Sequence, residues 1–514
     1  MLARVHSAAV VGIDARVLDV EVDVSAGLPC FTIVGLPDTS VREARERVRA
    51  ALRNGGFPTP GGAVTVNLAP AGFRKVGASL DLPVALAMLQ ICGLASPTAA
   101  RRLFVGELGL NGEVRPVRGA LCLALAAREA GFDEIIVPSV NAAEAAAVEG
   151  IDVIPVATLT STVAHVKGER TLAPFVTPPA GPAPAQGVDF SDIRGQTVAR
   201  RALEIAAAGG HHVLLMGPPG AGKTMLARRL ATVLPALTRV ESIDVTKIHS
   251  VAGAMPASGG LIEIPPFRAP HHGISAPGLV GGGVRPGPGE VSLAHRGVLF
   301  LDELPEFRRD VLEAIRQPLE EKRVNLVRVG GACTFPCDFL LVAAMNPCPC
   351  GFLGDPRRVC TCDYRERLRY TRKISGPLLD RIDLHIDVPA VSPADLTLPP
   401  PSEASAEVAR RIAAARARQR VRYQALPEER RIRTNAEADG ALLDEVAAPD
   451  PAGRALLQRA AERLRLSARG YHRVLRVARS LADLDGAETV ARHHIAEALS
   501  YRRPINVPEG AASG

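Results

Sequence analysis

The segment Gly217-Pro218-Pro219-Gly220-Ala221-Gly222-Lys223-Thr224 constrains the fold of this chain more tightly than any other. An apolar run, His-His-Val-Leu-Leu-Met, precedes it, and an apolar-periodic stretch over residues 223–234 follows it. A strand must therefore end and a helix begin within eight residues, which makes one βα unit of a parallel sheet. The glycines let backbone N–H groups curl around phosphate oxygens, and the helix start adds its positive dipole end. Lys223 neutralises the β/γ charge and Thr224 offers a hydroxyl to Mg²⁺. The loop, all eight residues of it, is expected to hold ATP with Mg²⁺.

Such a site needs a carboxylate at the end of a neighbouring buried strand. Gly297-Val-Leu-Phe-Leu-Asp302-Glu303 supplies it about eighty residues later. Asp302 is placed for the Mg²⁺ shell and Glu303 for positioning and polarising the attacking water.

The motifs resemble the AAA+ superfamily, and the resemblance extends along the chain. An apolar strand over residues 339–345 runs into Asn346, which matches the polar residue that senses the γ-phosphate. Ser375-Gly-Pro-Leu-Leu-Asp380-Arg381 matches the segment whose arginine reaches a neighbouring subunit's nucleotide, and Arg469 in Ser-Ala-Arg-Gly matches the sensor arginine of the helical lid. Ile193-Arg-Gly-Gln196 is similar to the segment that packs on adenine. A finger in trans implies a ring, and hence a homo-hexamer.

Pro266-Phe-Arg-Ala-Pro-His-His272, the glycine run 281–283 and Met345-Asn-Pro-Cys-Pro-Cys350 closely resemble the magnesium-chelatase-like ATPases of the YifB/ComM family. The resemblance covers essentially the whole chain. It implies an α/β architecture: a Lon-protease-like (S5 domain 2-like) α+β domain over residues 1–172, an AAA+ core with a parallel sheet over 189–395, and a helical C-terminal domain over 405–503. Linkers occupy 173–188 and 396–404, and 504–514 form a tail. It further implies an ATP-driven DNA helicase or branch-migration remodeller, with a chelatase-like or chaperone-like motor acting on a protein partner as the alternative. DNA, single-stranded or branched, is the expected partner, and the N-terminal domain is open to a protein partner.

Lys75-Val-Gly-Ala-Ser79 is similar to the segment carrying Lon's nucleophilic serine, but Leu121 stands where the partner lysine should be. Leucine cannot take the hydroxyl proton, so no protease is expected. Cys348-Pro-Cys350 and Cys360-Thr-Cys362 together offer four thiolates, the ligand count of a closed structural zinc site. Redox-active or free cysteines are the alternatives. Residues 323–335 read as a β-hairpin turned at Gly330-Gly331, which either holds phosphate through Arg323 and Arg328 without reading bases or is a plain surface hairpin.

The other five cysteines (Cys30, Cys92, Cys122, Cys333 and Cys337) read as reduced core thiols. The longest apolar runs fall well short of the ~20 residues a spanning helix needs, so no membrane partner is expected. The first residues read as an edge strand rather than a secretory leader, and the chain as cytoplasmic. The net charge of +7 is concentrated toward the C-terminus, with nine arginines over residues 410–433 and eight over 454–479. Such a part either binds a polyanion or carries arginine as an ordinary solvated cation.

Overall fold

A computed structural model describes residues 2–94, 101–176, 187–256, 259–283, 286–328, 331–355, 358–390 and 403–502. Most of the first expected linker and of the second, and the tail, fall outside them.

The N-terminal part is built on a seven-stranded sheet. Its alternating strands are half buried, as Asp14–Ser25 shows, with Leu18, Val20 and Val22 inward. Helix Thr39–Asn54 covers one face through Val41, Ala44, Val48 and Leu52, and Asp38 caps it by accepting from the Val41 N–H. Strand Leu2–Val11 is not an edge strand: it pairs with Asp14–Ser25 on one side and Arg102–Phe104 on the other. Ala3, Val5, Ala8 and Ala9 make it interior, because such small and branched side chains pack on both sheet faces. Cys122 and Cys337 are buried as expected, whereas Cys30 is exposed at the start of strand Cys30–Val34 and is no core thiol.

The central part carries a five-stranded, wholly parallel sheet. Its spatial order is Phe267–Arg268, Val298–Leu301, Leu340–Met345, Val213–Met216, Leu384–Asp387. The three middle strands are almost entirely apolar and buried, as a parallel sheet covered on both faces requires. This order brings the C-terminal ends of Val213–Met216, Val298–Leu301 and Leu340–Met345 side by side, although they are far apart in sequence. Hairpin strands Arg323–Arg328 and Gly331–Pro336 pair antiparallel, Arg328 opposite Gly331, and bury Val324, Leu326 and Phe335 while exposing Val327.

Helix Arg239–Ala252 is where the N-terminal part meets the core. Lys247 Nζ lies 2.5 Å from Asp14 Oδ1, and Gly119 N–H donates to Ser250 O at 3.2 Å. The C-terminal part is helical, with Ser405–Gln424 and Ala468–Asp485 packed on helix Thr197–Gly209. A buried hydrogen-bonded chain ties it down: His211 meets Asp383 Oδ2 through Nδ1 at 3.1 Å and Ser480 Oγ through Nε2 at 2.7 Å.

Much of the C-terminal arginine excess is consumed internally. Arg411 pairs with Glu204 and Glu403, Arg416 donates to Ala207 O, Arg418 to Asp483 O, and Arg422 and Arg479 share the buried Asp483 carboxylate. These five cations have partners within the fold, although Arg411 and Arg418 remain open to solvent.

Candidate functional site

Gly217 opens the P-loop where the chain runs against strand Leu384–Asp387. A Cβ there would stand 2.1 Å from Val388 O, so only glycine fits. Gly222, at φ +87°, turns the loop into helix Lys223–Val233. The N–H groups of Gly220, Gly222, Lys223 and Thr224 find no acceptor among the described residues. That row of free donors at a helix start fits a bound phosphate chain.

Lys223 Nζ is buried and donates to Gly217 O at 2.7 Å, Pro218 O at 3.0 Å and Asn346 Oδ1 at 3.0 Å. Burial lowers its pKa while the Asp302 and Glu303 carboxylates oppose the shift. Thr224 Oγ1 donates to Asp302 Oδ2 at 2.7 Å. This hydroxyl–carboxylate pair, open to the loop, offers hard oxygen ligands of the kind Mg²⁺ takes. Glu303 sits in left-handed backbone, φ +53°, which costs of order 1–3 kcal/mol and turns its exposed carboxylate toward the loop preceding strand Val298–Leu301.

There it meets a residue that sequence reasoning did not assign. His272 Nδ1 lies 3.4 Å from Glu303 Oε2, and its ring is flanked by His271 and Phe307. The Pro-His-His segment just after the short strand Phe267–Arg268 was its signal in the sequence. Gln196 is buried and gives its Nε2–H to Pro389 O at 2.8 Å, next to the Val388 carbonyl against which Gly217 packs.

Arg381 and Arg469 stand elsewhere. Arg381 lies two residues before Asp383, whose N–H bonds to His212 O at the N-terminal end of strand Val213–Met216. A strand of that length places it roughly 13 Å from the P-loop, at the opposite end of the strands. It is held by Pro377 O at 2.5 Å and by the Glu320 carboxylate. Arg469 lines the same cavity of about 1100 Å³, together with Gly210, His212 and Leu340, which mark the N-terminal ends of the strands. The chain therefore assembles Lys223, Thr224, Asp302, Glu303, Asn346 and His272 around one loop, and presents Arg381 and Arg469 on another face.

The four cysteines of the second cluster converge beside the site. The Sγ atoms of Cys348, Cys350 and Cys360 lie 3.3–3.6 Å apart, and Cys362 Sγ accepts from Cys350 N–H at 3.3 Å. In the N-terminal part, Leu121 is fully buried, and no lysine amine takes the place its sequence position would require.

A five-stranded parallel sheet in this order, with a glycine-rich loop after one strand, an acid pair after the next but one and an asparagine between them, has the layout of an AAA+ core. The comparisons agree. Residues 189–396 match the model for magnesium chelatase, subunit ChlI, residues 20–141 that for subunit ChlI of Mg-chelatase, and residues 402–502 that for its C-terminal part. The chain is 41% identical to the YifB protein of Escherichia coli over 98% of its own length and 97% of that protein. It is 40% identical to the competence protein ComM of Haemophilus influenzae over 98% of both. To a protein of Mycobacterium tuberculosis it is 44% identical over 98% of its length and 99% of that chain. The chain belongs to the YifB/ComM family of magnesium-chelatase-like proteins. Among the described residues, no helix is long and apolar enough to cross a membrane.

Proposed function

We propose that the protein is an ATP-hydrolysing motor of hexameric form that remodels DNA, most simply by branch migration. The observation that carries the ring is the separation of Arg381 from Lys223: within one chain, the arginine stands at the N-terminal ends of the strands and the P-loop at their C-terminal ends. Arg381 and Arg469 then act on the nucleotide of the adjoining subunit.

In this reading the P-loop N–H groups and Lys223 bind the β/γ-phosphates, and Thr224 and Asp302 would hold Mg²⁺, which supplies charge neutralisation at the transferred phosphoryl group. Glu303 accepts a proton from the attacking water, His272 positions the Glu303 carboxylate, and Asn346 reports the γ-phosphate to strand Leu340–Met345. Gln196 and Ile193 border the adenine. Cys348, Cys350, Cys360 and Cys362 would hold one structural zinc ion. The division at residues 1–172, 189–395 and 405–503 serves as N-terminal, motor and helical units.

The DNA reading is supported by the ComM resemblance and by the hairpin Arg323–Pro336, whose basic strand would face a central channel. In this reading that hairpin is the phosphate contact. Binding of the purified protein to four-way DNA, titrated against salt, tests it. A steep loss of affinity with added salt is expected. No binding to any DNA form, with ATP hydrolysis intact, would shift the reading to a motor acting on a protein partner.

A further inference from the structure

The thiol cluster and the phosphate loop share a wall. Strand Leu340–Met345 ends at Asn346, which accepts from Lys223 Nζ, and two residues later the chain enters Cys348. Cys348 is fully buried. The sulfur separations of 3.3–3.6 Å are close to the ~3.8 Å edge of a tetrahedron with Zn–S distances of about 2.3 Å. All four Sγ atoms lie within 4.8 Å of one another. The Cys350 N–H donates to the Cys362 sulfur, the kind of contact that orients a thiolate ligand.

On its other side the same turn touches the nucleotide loop. Gly351, at φ +85°, lies so near Pro219 that a Cβ would stand 2.6 Å from Pro219 Cδ and 3.9 Å from Asn346 Cγ. Two links thus run from the sulfur cage to the phosphate site. One passes from Cys350 through Gly351 to Pro219, and the other from Cys348 through Asn346 to Lys223.

We propose that a zinc ion held by Cys348, Cys350, Cys360 and Cys362 keeps the P-loop in its phosphate-binding form, so that nucleotide affinity depends on the metal. This rests on the zinc reading above. Four thiol groups have no mutual attraction that would hold this turn closed, whereas a closed metal site contributes its binding free energy to local folding. Without the ion the turn opens, Gly351 leaves Pro219, and the loop loses one wall.

The test uses the full chain, purified reduced and without chelator. Zinc content is measured together with affinity for a fluorescent ATP analogue, before metal removal, after it, and after zinc is restored. About one zinc per chain, with affinity falling tenfold or more on removal and returning with zinc, is the expected result. Zinc present but affinity unchanged within twofold overturns the coupling and leaves the metal site standing. No zinc bound, and none taken up, overturns the site itself.

Gly351→Ala separates the coupling from a general loss of fold, because it forces a methyl group against Pro219 while all four sulfurs remain. It should keep its zinc and bind the analogue several-fold more weakly. Full zinc with wild-type affinity in that variant would overturn the proposal.

Discussion

His272 Nδ1 and Glu303 Oε2 stand 3.4 Å apart, a contact joining the loop after one edge strand to the acid that follows its neighbour. In the proposed mechanism Glu303 acts on the attacking water rather than on the phosphates. Glu303→Gln should therefore leave ATP binding intact and lower turnover by at least about a hundredfold, the usual worth of a general base. His272→Ala should bind ATP normally and turn over about tenfold more slowly, with kcat rather than KM affected. Steady-state kinetics beside equilibrium nucleotide binding decides both; unchanged hydrolysis in Glu303→Gln removes that residue from the site.

Arg381 sits on the face away from the P-loop, where Glu320 engages it. Arg381→Ala should bind ATP almost normally and lose hydrolysis by ~10³–10⁵, the worth of a finger supplied in trans. Mixed with Lys223→Ala, it should regain part of the activity, because a mixed ring sets intact P-loops beside intact arginines. Mixed assemblies that form but do not hydrolyse ATP would return Arg381 to a structural ion pair with Glu320.

Among the described residues no hydrogen bond joins the Ser79 side chain to a basic group, and Leu121, at the sequence position of a dyad lysine, is buried in the core of the N-terminal part. Ser79→Ala should leave ATP hydrolysis unchanged, and neither it nor the parent protein should cleave a peptide. Peptide cleavage lost on this substitution would reverse the reading.

Stability should fall as pH drops from 6.5 toward 4. Burial, reinforced by the Arg296 charge, pushes the His295 imidazole down to about 3, and burial holds His212 down to about 4, against the nearby Asp383. Below 6.5 the unfolded chain protonates these rings while the folded protein does not. The stability they contribute is therefore present above 6.5 and lost as pH falls through that window. For His295 the loss at pH 5 is about 2 kcal/mol. His295 Nδ1 accepts the Asp338 N–H at 2.9 Å, and His295→Asn offers an amide oxygen in its place without titrating. Thermal melts between pH 5 and 7.5 should show a shallower slope for that variant; an identical slope would remove His295 as a source.

Read alone, the sequence determined the parts whose chemistry is local. Gly217 to Thr224 dictate a strand–loop–helix because glycine conformations, a helix start and a lysine are all encoded within eight residues. The buried strand before Asp302 and the run into Asn346 are legible for the same reason, since their hydrophobicity and their polar ends are contiguous. Only the tertiary structure decided which distant residues meet. The meeting of His272 with Glu303 depends on two strands lying adjacent, and the placement of Arg381 and Arg469 at the far end of the strands depends on the direction in which a parallel strand runs. The fate of Arg411, Arg416 and Arg422 depends on which helix packs beside them, so their charge, conspicuous in composition, is spent within the fold. Local backbone preference acts over a few residues and is written there, whereas the partners of a long side chain are chosen by packing between elements far apart in sequence.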